Sequence, residues 1–188
     1  METWDWVCSL AASKNGKWIA AGTYTGLLVW DAGTYKEVIK HEEGNFVGAV
    51  EFSPDSSRLV AGMNKWEAII WDLTIGKKVQ ILDHENYVTM VKYSPQGDRI
   101  VTATYKGTIQ VWDSNNSHLL VDIDVKVIPQ FNTSLLWSHN HLLVISNKKI
   151  EEFDTSTGSK VSEWPVPDTS YVSCIALPNH ERFTTFSS

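Results

Sequence analysis

The sequence predicts an all-β protein built from one repeated sheet, and three observations predict it. Trp-Asp pairs stand at Trp30-Asp31, Trp71-Asp72 and Trp112-Asp113, each 41 residues after the last, and one more step reaches Phe153-Asp154. Other residues keep the same interval: Ser53-Pro54 returns as Ser94-Pro95, Val50 as Val91, Phe52 as Tyr93, Arg58 as Arg99 and Val60 as Val101. Between these landmarks, short runs rich in β-branched and aromatic residues alternate with turn clusters. A fixed period of this length marks a repeat architecture.

The second unit shows the strands most plainly. Val47 to Phe52, Arg58 to Ala61, Ala68 to Trp71 and Lys77 to Leu82 are strand-like runs. Turn clusters such as Ser53-Pro54-Asp55-Ser56-Ser57, Ser94-Pro95-Gln96-Gly97-Asp98 and Thr155-Ser156-Thr157-Gly158-Ser159 interrupt such runs. Proline presets φ for a turn, and Gly, Asn and Asp tolerate conformations that strands reject. Four short strands with their turns fill about 40 residues, the length of one β-propeller blade. The chain therefore reads as a single domain of units spanning 1–40, 41–83, 84–124, 125–165 and 166–188.

In unit one the first strand is expected near Val7 to Ala12, the third to end at Trp30 and the fourth near Tyr35 to Lys40. Unit four is degenerate: it carries Trp137-Ser138-His139-Asn140-His141 where a Ser-Pro turn would stand. Its second strand is expected at Leu142 to Ser146 and its third at Ile150 to Asp154. Unit five matches the opening of unit one without a gap, with Val172 on Val7, Ile175 on Leu10 and Phe183 on Trp18. It stops before a third strand.

The segments ending in the Trp-Asp pairs, from Asn15 to Asp31, from Ser53 to Asp72 and from Ser94 to Asp113, resemble the second and third strands of the WD-repeat family. The resemblance covers nearly the whole chain. It implies a β-propeller of four-stranded antiparallel blades that serves as a rigid platform for protein partners. It also implies that Trp30, Trp71 and Trp112 are buried packing residues. In this family a histidine ahead of the first strand joins an aspartate after the second strand, a strand Ser/Thr and the tryptophan in one hydrogen-bonded network. His41 and His84 fall near the histidine position, but Thr25, Lys65 and Lys106 stand where the aspartate would be. The network is expected to be incomplete in all three units, leaving looser blades.

Four and a half units fall short of the roughly seven or eight blades that the WD-repeat resemblance implies, at the upper end of the range for propellers. The ring is expected to be incomplete, with two apolar faces exposed. At ~25 cal/mol/Å², about 500 Å² of apolar surface per face leaves roughly 12 kcal/mol unrealised, as much as a typical domain's whole stability of about 5–15 kcal/mol. The missing blades of a longer propeller, or a second copy, are the expected means of closure.

The formal charge of −6 argues against nucleic acid, which leaves a basic footprint. Glu2 and Asp5 stand where a secretory leader would be basic. The uncharged, largely apolar stretch Trp18 to Trp30 is short of the ~20 residues of a membrane helix. A soluble, cytoplasmic chain is the expectation, with the nucleus as an alternative. Cys8 and Cys174 fall in first strands, where free thiols act as small buried apolar groups, so no disulfide is expected between them.

The turns after the second strands carry the most inviting surface. Tyr24-Thr25-Gly26, Asn64-Lys65-Trp66, Tyr105-Lys106-Gly107 and Asn147-Lys148-Lys149 should lie side by side on one rim. Tyr24, Lys65, Trp66, Tyr105, Lys106 and Lys148 would then form a basic and aromatic patch suited to an acidic or phosphorylated peptide. The alternative is a set of solvated turns whose lysines keep edges soluble. His139-Asn140-His141 offers too few ligands for a metal site. Glu151 and Glu152 face opposite ways on a strand, which makes them poor partners for acid/base work. No phosphate loop or nucleophile elbow is present. The function expected is noncatalytic display to other proteins or peptides, with no cofactor. An incomplete fragment of a larger WD-repeat signalling protein and a channel-housed enzyme are the alternatives.

Overall fold

The computed structural model describes residues 5–42, 44–125, 134–146, 149–165, 173–176 and 183–186. Among them every regular element is a strand. The first sheet holds β1 (Val7–Ala12), β2 (Trp18–Thr23), β3 (Leu27–Asp31) and β4 (Glu37–His41). The second holds β5 (Val47–Phe52), β6 (Arg58–Met63), β7 (Glu67–Asp72) and β8 (Lys77–Asp83). The third holds β9 (Val88–Tyr93), β10 (Arg99–Thr104), β11 (Thr108–Asp113) and β12 (Leu119–Asp124). The fourth holds β13 (Ser134–Ser138), β14 (His141–Ile145), β15 (Lys149–Asp154) and β16 (Lys160–Pro165). A hairpin of β17 (Ser173–Ala176) and β18 (Phe183–Phe186) follows. Within each four-stranded sheet the strands pair antiparallel in chain order.

First strands meet across the sheets, β1 beside β5, β5 beside β9 and β9 beside β13. They are therefore innermost and the fourth strands outermost, which is the propeller arrangement. Among the described residues the sheets do not close into a ring. Both faces of an inner sheet are buried, so β6 reads Leu59-Val60-Ala61 rather than alternating with polar residues. Leu59 and Ala61 pack toward the first sheet, while Val60, with Ala68 and Ile70, packs toward the third. Val101, Ile109 and Val111 meet Leu135, Leu142 and Phe153 at the third seam.

The repeated aspartate has a local task. Asp31 Oδ1 accepts the N–H groups of Gly33 and Thr34 at 3.0 and 2.8 Å, and Asp113 Oδ1 those of Asn115 and Asn116 at 2.8 and 3.2 Å. Asp72 and Asp154 make the matching bonds to residues 74–75 and 156–157. The Thr34 amide, the Thr74 hydroxyl and the Ser156 hydroxyl are the main causes that hold Asp31, Asp72 and Asp154 below the usual carboxylate range. Four residues after each aspartate the chain turns left-handed: Tyr35 at φ 57°, Gly76 at 65°, Ser117 at 62° and Gly158 at 73°. That region favours glycine. Tyr35→Gly is expected to raise stability by about 0.5–1 kcal/mol, because the exposed ring gives up little contact while the backbone strain disappears. Urea unfolding would check it, and a loss of stability would count against the turn as the strained point.

Three expectations need correcting. Trp71 and Trp112 are buried, but Trp30 is half-exposed. Cys8 is exposed rather than buried. Both lie on the first sheet, and no described sheet covers the face that β6 and β7 bury in the second. The Cys174 side chain lies outside the described residues. In unit four, β14 begins at His141 and β15 at Lys149, because Ser138 and His141 close a tight hairpin with His139 at φ 54°.

Candidate functional site

In the first three sheets the turn between the second and third strands is tied to the residue just before the first strand of the same sheet. The Tyr24 N–H donates to the Trp6 carbonyl at 3.0 Å, that of Asn64 to Phe46 at 3.1 Å and that of Tyr105 to Tyr87 at 2.8 Å. The accepting residue is aromatic every time. Trp6, Tyr24, Tyr87 and Tyr105 are exposed and Phe46 is half-buried, so these turns and lead-ins form one aromatic rim. Tyr24 meets Phe46 edge-to-face across the first seam, with ring centroids 6.0 Å apart. Such pairs contribute about 0.5–1.5 kcal/mol beyond their burial.

Tyr24, Lys65, Trp66, Tyr105 and Lys106 all lie at this end of the sheets and are all exposed. Lys148 lies outside the described residues. Trp6, Phe46 and Tyr87 were missed from sequence. Their signal was an aromatic-valine pair at the head of each unit, Trp6-Val7, Phe46-Val47 and Tyr87-Val88.

Trp66 is the unusual member. Its φ is 68°, and the matching residue of the next sheet is Gly107 at φ 96°. A left-handed conformation costs a side-chain-bearing residue roughly 1–2 kcal/mol. The turn holds it there because the Trp66 carbonyl accepts the His84 N–H at 2.8 Å. The ring is nonetheless 55% exposed, so little packing offsets that strain.

The network beneath the rim also differs from expectation. In the third sheet three of its members are joined: Trp112 Nε1 donates to Thr102 Oγ1 at 2.9 Å, and Thr102 Oγ1 lies 2.7 Å from His84 Nε2. His84 Nδ1 lies 2.8 Å from the Leu82 carbonyl, which orients the ring in the absence of the family's carboxylate. Burial holds His84 below its ordinary value, so the ring is neutral and Nδ1 carries the proton. Against the second sheet, His41 at the end of β4 stands edge-on to Trp71 at 5.6 Å, but Ala61 occupies the place of Thr102 and brings no hydroxyl. In the first sheet Thr25 pairs with Asp5 from the lead-in.

The remaining candidates separate. His141 Nδ1 lies 2.6 Å from Glu152 Oε1. Glu151 is buried on the other face of β15, where Lys149 at 2.7 Å and Lys160 at 3.4 Å balance its charge. The structure does not bring the two glutamates together, and among the described residues no cluster of metal-ligating side chains forms. Among the described residues no helix is long and apolar enough to cross a membrane.

Sheets ranked about an axis, first strands inward and turns gathered on a rim, define a repeat protein of the β-propeller class. The chain belongs to the WD40 family (WD domain, G-beta repeat), whose signature matches residues 2–31, 33–72 and 76–113. Repeats of this family generally mediate protein interactions. No curated protein matches the chain. Among solved structures it is similar to the computationally designed Ika8 protein, with a TM-score of 0.72 and 21% identity over 84% of this chain and 48% of that one. It is also similar to Kuenenia stuttgartiensis hydrazine synthase, with a TM-score of 0.79 and 15% identity over 94% of this chain and 54% of that one. The chain spans about half the length of each. At these identities the likeness is one of fold.

Proposed function

We propose that the chain is a noncatalytic interaction module that holds an acidic peptide against its aromatic rim. One observation carries this reading: Trp66 stays on the surface in a left-handed turn where its counterpart is glycine. Backbone strain concentrates at functional positions. Exposed aromatic rings ringed by polar groups are typical of interface hot spots. Lys65 and Lys106, in neighbouring turns, supply the charge that selects carboxylate or phosphate groups. The mechanism is steady display of several contacts at once, with no bond made or broken.

The reading separates stability from binding. Trp66→Gly is expected to raise stability by about 1 kcal/mol, by relieving the turn, while lowering affinity for an acidic peptide at least tenfold, as loss of a hot-spot aromatic would. Thermal unfolding and fluorescence anisotropy with a labelled acidic peptide library would read the two effects. Undiminished binding would remove the rim from consideration.

The first sheet favours a second reading that is compatible with this one. Leu10 is 70% exposed on a face that the second sheet buries against a neighbour. We infer that a further sheet covers it, from the same polypeptide or from a second copy. Sedimentation of this chain alone distinguishes them: a dimer that Leu10→Glu dissociates indicates a second copy. A monomer that does not bind hydrophobic dye contradicts coverage of either kind.

A further inference from the structure

Each of the first three sheets brings exposed aromatic rings to the rim at the same end. In the first they are Trp6 and Tyr24, exposed by 80% and 65%, and in the third they are Tyr87 and Tyr105. In the second Phe46 is half-buried, and Trp66 supplies the exposed ring. These turns cap the layer in which β2 and β3 pack on β6 and β7, which pack in turn on the third sheet. Packed sheets stand roughly 10 Å apart, so the aromatic groups recur at that interval.

That interval discriminates among peptide conformations. Polyproline II advances about 3.1 Å per residue and repeats its face every third residue, so like side chains stand roughly 9 Å apart. An extended strand repeats its face every second residue, at about 6.7 Å, and is out of step by the second sheet. Strand addition also needs free backbone groups along an edge. Here the turn amides of Tyr24, Asn64 and Tyr105 are engaged with the lead-in carbonyls, that of Gly26 with Thr23 Oγ1 at 3.0 Å and that of Gly107 with the Thr104 carbonyl at 3.0 Å. Polyproline II needs no such ladder, because its backbone makes no internal hydrogen bonds and stays solvated. A helix lays its apolar face into a groove, whereas these rings stand out from the surface.

The geometry points to a proline-rich acidic segment in the polyproline II conformation, with proline at every third position, as the occupant of the rim. This rests on the rim being the binding surface and adds the conformation and spacing of its ligand. Three prolines so spaced span roughly 19 Å, close to the two intervals that separate the first sheet from the third. Proline rings stack on the aromatic faces, and the phenol and indole donors bond the peptide's carbonyls, which have no partners of their own. Charge sets the register. Lys65 and Lys106 stand in the turns of the second and third sheets, so the acidic residues of the segment lie over those two. The matching turn of the first sheet carries Thr25, which pairs with the Asp5 carboxylate, and so takes a neutral residue.

Fluorescence anisotropy of the full chain with three labelled peptides of equal length and charge tests the assignment. The first carries proline at every third position with glutamates between, the second the same residues with proline at every fourth, and the third alanine in place of each proline. The first is expected to bind at least tenfold more tightly than the others, because its bound conformation is preformed and its prolines keep step with the sheets. Tyr24→Ala and Tyr105→Ala, both at exposed positions, are each expected to weaken that binding about tenfold. Equal binding of the alanine peptide would show that conformation is not selected, tighter binding that the ligand is helical, and equal binding of the second peptide that spacing is not read. Each of these overturns the inference and leaves the rim as the binding surface. Binding that neither tyrosine substitution weakens overturns it as well. If none of the peptides binds, the rim reading fails and this inference fails with it.

Discussion

Truncating Trp71 to alanine is expected to lower the stability of the chain by about 3–5 kcal/mol, and the same change at Trp30 by less than half as much. The two residues occupy the same place in the repeat, at the end of the third strand. Their surroundings differ. Trp71 is 2% exposed and packs within the core shared by the first two sheets. Removing it empties a closed space that rigid strands on both sides cannot fill. Trp30 lies on the face of the first sheet that no described sheet covers, so water already reaches part of the ring and enters the space left behind. Urea unfolding followed by far-ultraviolet circular dichroism measures both. Equal losses at the two positions would show that the first sheet is covered in solution by something that also buries Trp30.

This contrast marks how far the sequence could be read. The 41-residue interval located the strands, because packing on both faces demands the same residue types at the same place in each unit. It also located the aspartate turns and the exposed turns that carry Tyr24, Lys65, Trp66, Tyr105 and Lys106. It could not report burial, which depends on whether a neighbour is present, so Trp30 and Cys8 were misjudged. Nor could it show what a backbone carbonyl would do. The Leu82 carbonyl orients the ring in place of the carboxylate that this chain lacks, and a main-chain group leaves no mark in the residue pattern. Trp6, Phe46 and Tyr87 were legible in principle, being periodic aromatics. They stand outside the strands, where no alternation of buried and exposed positions marks them.

Thr102→Val should cost about 2–4 kcal/mol, although it leaves shape and volume almost unchanged. The hydroxyl accepts from Trp112 Nε1 and donates to His84 Nε2, and all three side chains are buried. Valine would leave a buried N–H and a buried ring nitrogen without partners, each worth about 1–3 kcal/mol. The same network makes the third sheet sensitive to acid. His84 has an ordinary value of 6.5 and is held below it in the folded chain, chiefly by burial. Above that value neither state binds the proton, and the neutral ring contributes its full share. As pH falls below it, the unfolded chain takes up a proton that the folded chain refuses, so stability declines until the native ring protonates. Other histidines also titrate, so the informative quantity is a difference between proteins. The unfolding midpoint of the wild-type chain should fall more steeply from pH 7 to pH 5 than that of His84→Gln. Parallel slopes would show that the ring titrates alike in the folded and unfolded chains, and a shallower fall in the wild-type chain would show that the folded ring carries the charge.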